Sequence, residues 1–188
     1  MRIHKVLEKQ YVMEDVVISR TWKQTLRGQE LHGRGDTNLL FRRLTAFFAS
    51  RTCPAPAIHA GLAWALEQVR LGATVIGGFH SPLERSVLNL LLEARSPAVV
   101  VLARDAASAR LPSVWQAAIR RRHLTIVSDA VDISRLDSTR AAARNEAVVA
   151  LSDCIVVAHI RLHGSLDAQV GIWERKGMRV DWLHKSQI

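Results

Sequence analysis

A doubly wound, mostly parallel α/β sheet of about six strands, with helices on both faces, is the fold that the sequence predicts. Three observations predict it. From Leu44 onward, short apolar runs alternate with segments of helical periodicity, without interruption. Runs such as Ala98 to Leu102 are apolar at every position, as strands covered on both faces must be. Each run is separated from the next by enough chain for a crossover helix, which favours parallel pairing with right-handed connections.

Taken in order, the first strand is Leu44 to Ala49, ending at Ser50-Arg51. Pro54 and Pro56 open a helix that carries Ile58, Leu62, Ala65, Leu66 and Val69 on one face and stops at Gly72. The second strand, Ala73 to Ile76, breaks at Gly77-Gly78. A helix with a full start signal follows: Ser81 as cap, Pro82 at the first helical position and Glu84 three residues after the cap, then Val87, Leu88, Leu91 and Leu92. Ala98 to Leu102 is the third strand, and Pro112 to Arg121 the next helix. His123 to Val127 is the fourth strand, and a helix ends near Leu151. Cys154 to Ala158 is the fifth strand, Ser165 to about Lys176 the last helix, and Met178 to Trp182 the sixth strand. This is a Rossmann-like domain over residues 44 to 188. Residues 1 to 43 read as an N-terminal appendage, weakly amphipathic from Val6 to Val17 and loop-like from Arg27 to Asn38, where three glycines accompany few apolar side chains. The Arg34-Gly35-Asp36 triplet inside it carries no adhesion function in a chain without secretion signals.

The 188 residues suffice for one full core. No apolar run reaches the roughly 20 residues that span a bilayer. The N-terminus lacks a signal-peptide apolar region, so a cytoplasmic location is expected, with Cys53 and Cys154 as reduced thiols. Twenty-six Lys and Arg against 17 Asp and Glu give a net charge of +9 and a pI near 10.7. Such an excess suits a polyanion or a phosphorylated small molecule.

In a doubly wound sheet, ligands bind outside the carboxyl ends of the strands. Ser50 and Arg51 follow the first strand there; Gly77, Gly78, His80 and Ser81 follow the second; Arg104 follows the third. Ser128 and Asp129 follow the fourth, and His159, Arg161, His163, Gly164 and Ser165 follow the fifth. Small hydroxyls, glycines, Arg and His thus share one edge with few acids. Hydroxyls, backbone N–H groups and guanidinium are the groups that hold phosphate.

Three segments carry a family resemblance. Ala46 to Arg51 ends in Ala-Ser-Arg; Ala143 to Asp153 contains Arg144-Asn145 and Leu151-Ser152; His163 to Ala168 reads His-Gly-Ser-Leu-Asp-Ala. In order and spacing, over about three quarters of the chain, they resemble the Rossmann-like domain of the DNA-processing protein A (DprA, or Smf) family, within the superfamily shared with LOG-type nucleotide-processing proteins. The resemblance implies non-catalytic binding of single-stranded DNA by its phosphates, in DNA processing or recombination. It implies that Ser50 and Arg51 grip a phosphate, that Arg144 and Asn145 line the pocket, and that Gly164 and Ser165 offer a helix N-terminus. Ala49 stands where the family has glycine, implying a hindered backbone approach to the phosphate. Glu146 replaces the family's second Arg, implying less positive charge in the pocket. Gly77-Gly78-Phe79-His80-Ser81-Pro82 replaces its Gly-Ile-Asp segment. No chain follows Ile188 for a winged-helix domain, so a short divergent branch is expected.

The alternative is a nucleotide-binding sensor or a LOG-like nucleoside-monophosphate phosphoribohydrolase. The turn from His163 to Gln169 has no glutamate for that chemistry, and Glu84 is explained as a capping partner. No Gly-x-Ser-x-Gly elbow occurs, so no catalytic residue is assigned. His159 and His163 lie at a strand end without a matching carboxylate or cysteine, so no metal site and no cofactor are expected. Arg120 to Arg122 end a helix at the opposite edge, where cations are favoured anyway. Trp64, Trp115, Trp173 and Trp182 read as core or interface, with Trp173 and Trp182 candidates for a homodimer contact.

Overall fold

Apolar side chains on both faces of the strands require cover on both sides, and the computed structural model supplies it with two helical layers. The structure describes residues 21–129 and 138–184; the predicted amphipathic stretch Val6 to Val17 lies outside them. The strands are β1 (Thr21–Leu26), β2 (Gln29–Gly35), β3 (Leu44–Ala49), β4 (Thr74–Gly77), β5 (Ala98–Val101), β6 (Leu124–Ser128), β7 (Cys154–His159) and β8 (Val180–Trp182). The helices are α1 (Ala55–Leu71), α2 (Pro82–Glu93), α3 (Ser113–Arg120), α4 (Ser138–Leu151) and α5 (Ser165–Arg175), with a short 3-10 turn over Thr37–Phe41. They form one sheet in the order β1-β2-β6-β5-β4-β3-β7-β8. The six strands from β6 to β8 in this order are parallel, whereas β1 and β2 run antiparallel to their neighbours.

Alternate side chains of each strand enter opposite layers. Phe47, Val75, Val100, Ile126 and Val156 pack with Ala65 of α1, Leu83, Val87, Leu88 and Leu91 of α2, and Ala118 and Ile119 of α3. Phe48, Ile76, Val99, Val127 and Val157 pack with Ala147, Val148 and Leu151 of α4 and Val170 and Trp173 of α5. The chain therefore changes faces after β6, and it returns to the middle of the sheet to place β7 beside β3. That reversal creates a crevice at their carboxyl ends.

Two strands exceed the six that the sequence predicts. Arg27 to Asn38 reads as loop, yet Gln29 to Gly35 is a strand, paired with β1 and with β6. Arg27 and Gly28 both have positive φ, 49° and 78°. This is the two-residue hairpin turn whose twist matches its strands. Gly33 is not a loop signal either: a Cβ there would strike the Trp22 ring and the Ile126 carbonyl. It is the close approach that glycine permits inside a strand. Arg27 donates to the Ser152 carbonyl (3.0 Å) and to Asp153 (2.8 Å), which ties the turn to the start of β7. Asp36 caps the 3-10 turn by accepting from Asn38 N–H and pairs with Arg122 at 3.1 Å.

Candidate functional site

The crevice between β3 and β7 is a cleft of about 400 Å³. The β3 end contributes Ser50, Arg51 and Thr52. Arg161 follows β7, and Gly164, Ser165, Leu166 and Gln169 belong to the first turns of α5. His80, Ser81 and Glu84 come from the start of α2, while Ala141, Ala142, Arg144 and Asn145 come from one side of α4. Four segments remote in sequence meet at the carboxyl edge of the sheet.

The two walls are joined directly. Ser50 N–H donates to the His159 carbonyl (3.0 Å), and the Ser50 hydroxyl accepts from Arg161 N–H (2.8 Å). That hydroxyl keeps its own hydrogen to donate. Gly164 caps α5 without a side-chain hydrogen bond. The first-turn N–H groups of α5 thus stay available to an anion, with the helix dipole behind them.

The start of α2 is different because its anion is internal. Ser81 accepts from Glu84 N–H at 3.2 Å, and the Glu84 carboxylate accepts from Ser81 N–H at 3.0 Å, the capping box that the sequence predicts. The same carboxylate also accepts from His80 N–H at 2.7 Å and from Ala49 N–H at 3.0 Å. Three backbone donors are therefore committed to Glu84, which is buried. The Ala49 N–H points at this carboxylate, so the residue in the family's glycine position offers no free donor.

Arg144 reaches the cleft from α4 and is held by Asn145, whose Oδ1 accepts from Arg144 Nε (3.3 Å) and Nη2 (2.8 Å). Asn145 Nδ2 donates to Gln169 Oε1 at 2.7 Å, and Gln169 Nε2 donates to the Ala142 carbonyl at 3.1 Å. Glu146 is not among the described lining residues; its Oε1 accepts from Trp173 Nε1 at 2.8 Å and from Gln169 Nε2 at 3.4 Å. Burial pushes the Arg144 guanidinium down from its usual range, and nearby Glu84 opposes this; an arginine remains cationic regardless. Among the described residues, no carboxylate forms an ion pair with Arg51, Arg144 or Arg161.

Ser50, Arg51, His80, Ser81, Arg144, Asn145, Gly164 and Ser165 all line this one cleft. Three other predicted residues do not. Gly77 is interior to β4, against the Phe47 carbonyl and the Phe79 ring. Gly78 and Arg104 line a neighbouring cleft. Gly78 also makes room for Arg144: a Cβ there would stand 2.6 Å from Arg144 Cζ. Thr52, Glu84 and Gln169 are cleft residues outside the predicted set, while Arg161, expected at this edge, lines the cleft as well. Gln169 was detectable, since it sits one helical turn after Ser165 and shares its face.

His80 sits among these cations. Burial, followed by Arg144, lowers its pKa below the ordinary 6.5, with Arg51 and Arg85 acting the same way against Glu84. The neutral imidazole is therefore favoured at pH 7. Trp173 is fully buried against Phe48, with ring centroids 4.9 Å apart, which withdraws it as a dimer contact. Among the described residues, no cluster of three or more His, Cys, Asp or Glu could hold a metal ion, and no helix is long and apolar enough to cross a membrane.

No family model and no curated protein matches the sequence. Solved structures do. The fold is similar to that of DNA processing protein A from Helicobacter pylori, whose structure was described for its single-stranded DNA binding mode. The TM-score is 0.70 at 16% identity, over 89% of this chain and 82% of that one. It is also similar to DNA processing protein A (DprA) from Streptococcus pneumoniae, with a TM-score of 0.69 at 14% identity over 85% of this chain. There the chain spans only 56% of the other's length.

Proposed function

We propose that this chain is a divergent DprA-like module that binds single-stranded DNA by its phosphates in the cleft between β3 and β7, without catalysis. One observation carries the reading. The cleft unites Arg51, Arg144 and Arg161 with an uncapped helix N-terminus, while Glu84, the one acid among its described lining residues, is already satisfied by three backbone donors. Unpaired guanidinium and open N–H groups suit a phosphodiester. The likeness in fold to a protein described for single-stranded DNA binding adds support.

A small nucleotide is the second reading, favoured by the cleft volume of about 400 Å³, which lies within the range of small-ligand pockets. Hydrolysis of that nucleotide would need a free base, and the Glu84 carboxylate is spent on Ala49, His80 and Ser81.

Fluorescence anisotropy with a labelled oligothymidylate tests the reading. Binding weakens as salt rises, and Arg51→Ala and Arg144→Ala each reduce affinity about tenfold, as loss of a charge-assisted contact should. Each also lowers the salt slope by roughly 0.7, the increment for one phosphate of a single strand. No binding at low salt would overturn the proposal.

A further inference from the structure

Beside the main cleft lies a second, of about 310 Å³. Two of its lining residues, His80 and Arg144, also line the first, so the two clefts are contiguous through them. Its own cations are Arg104 and Arg110, and its apolar wall includes Leu111, Pro112 and the half-buried Trp115. None of its described lining residues is an acid. Neither Arg104 nor Arg110 forms an ion pair with a described residue. An apolar wall with an aromatic ring, rimmed by unpaired guanidinium, suits a base with its attached phosphate.

The loop that carries both arginines is fixed in advance. Asp105 accepts from Ala107 N–H (2.9 Å), Ser108 N–H (3.1 Å) and the Ser108 hydroxyl (2.8 Å). Arg34 of β2 donates to the Ala109 carbonyl, and Gln116 Nε2 donates to the Leu111 carbonyl at 2.9 Å. The hairpin that the sequence disguises as loop thus buttresses this second cleft, and binding there costs little ordering.

We propose that the second cleft is a subsite for the adjacent nucleotide of the strand. Its base lies against Trp115, its phosphate meets Arg104 and Arg110, and Arg144 stands between the two positions. This rests on the strand-binding function proposed above. It makes the site a reader of at least two linked nucleotides, which separates DNA from a mononucleotide.

The test is calorimetric titration with 5′-phosphorylated thymidine as mononucleotide, dinucleotide and tetranucleotide. The wild type gains roughly tenfold in affinity from mononucleotide to dinucleotide, the scale of one stacked base. In Arg104→Ala/Arg110→Ala and in Trp115→Leu that ratio falls toward one. The double arginine variant keeps the test decisive if the tryptophan variant folds poorly, because neither arginine is buried. A gain that survives in the double variant overturns the subsite and leaves the main cleft standing. Equal wild-type affinity for all three ligands also overturns it. Failure of every ligand to bind removes the strand-binding function and the subsite together.

Discussion

Arg144 occupies its position because residue 78 has no side chain. Any Cβ there would come within 2.6 Å of Cζ and 2.9 Å of Cδ of the guanidinium arm. The clash is with the end of a flexible side chain, so relief is movement of Arg144 and not of the backbone. Gly78→Ala should therefore weaken oligonucleotide binding about tenfold, like loss of the arginine itself. The melting temperature should stay within the few degrees typical of a substitution off the core. Anisotropy and thermal melts on the same sample separate the two effects. A large loss of stability with intact binding would refute the assignment. At this scale the sequence yields residue types better than roles. It points to Gly78 and Asn145 as ligand neighbours; each lines a cleft, and each also positions Arg144, a second role that a spacing pattern does not record. Arg51, Ser50 and Ser165 were legible, since each directly follows a strand or opens a helix whose place in the sheet was clear.

Elements were legible wherever burial imposed a period. All six strands from Leu44 onward and their five helices are where the alternation of apolar runs puts them, and the capping box forms as spaced. The β1–β2 hairpin was not legible. Its outer strand is the sheet edge, Gly33 serves close approach to Trp22 and Ile126, and Gly35 serves close approach to the Leu124 carbonyl. Composition alone cannot separate such glycines from loop glycines. Trp22 holds the hairpin by covering Gly33 and by donating from Nε1 to the Gly35 carbonyl at 3.2 Å. Because Trp22 is only half-buried, Trp22→Ala should cost about 2 kcal/mol, below the range for a fully buried tryptophan. Urea unfolding measures that loss. Hydrogen exchange should show the faster opening concentrated in residues 21 to 35 and spare β3 to β7.

Across the whole molecule, three histidines share one direction of titration. Burial lowers His80, His123 and His159 from 6.5, with Arg144 and Arg51 adding to the effect at His80, the Arg121 and Arg95 charges adding to it at His123 against a hydrogen bond to the Arg121 backbone, and His184 adding to it at His159. A depressed folded-state pKa means that the native state binds fewer protons than the unfolded chain, so stability rises with pH through this range. Their contribution is complete above pH 6.5 and is lost as pH falls through 6.5 to the depressed values. Melting temperatures should decline from pH 7 to pH 5, and less steeply in His123→Gln than in the wild type; a flat profile would contradict this. Ligand works in the opposite sense at His80, where a bound phosphate offsets the arginines and raises the pKa. Binding then takes up a proton, and affinity should grow as pH drops below 7.

The placement of β7 beside β3 has a further effect on how the chain acquires its site. Residues 50 and 161 belong to opposite ends of the folding unit, and the Ser50 hydroxyl and Arg161 N–H close the seam between them. No fragment holding only one half contains both walls. A strand of DNA bound across the seam, as proposed, would therefore be a clasp on the fold itself. Occupancy stabilises the native molecule in proportion to the logarithm of ligand concentration, and a chain that cannot complete its sheet has nothing with which to bind.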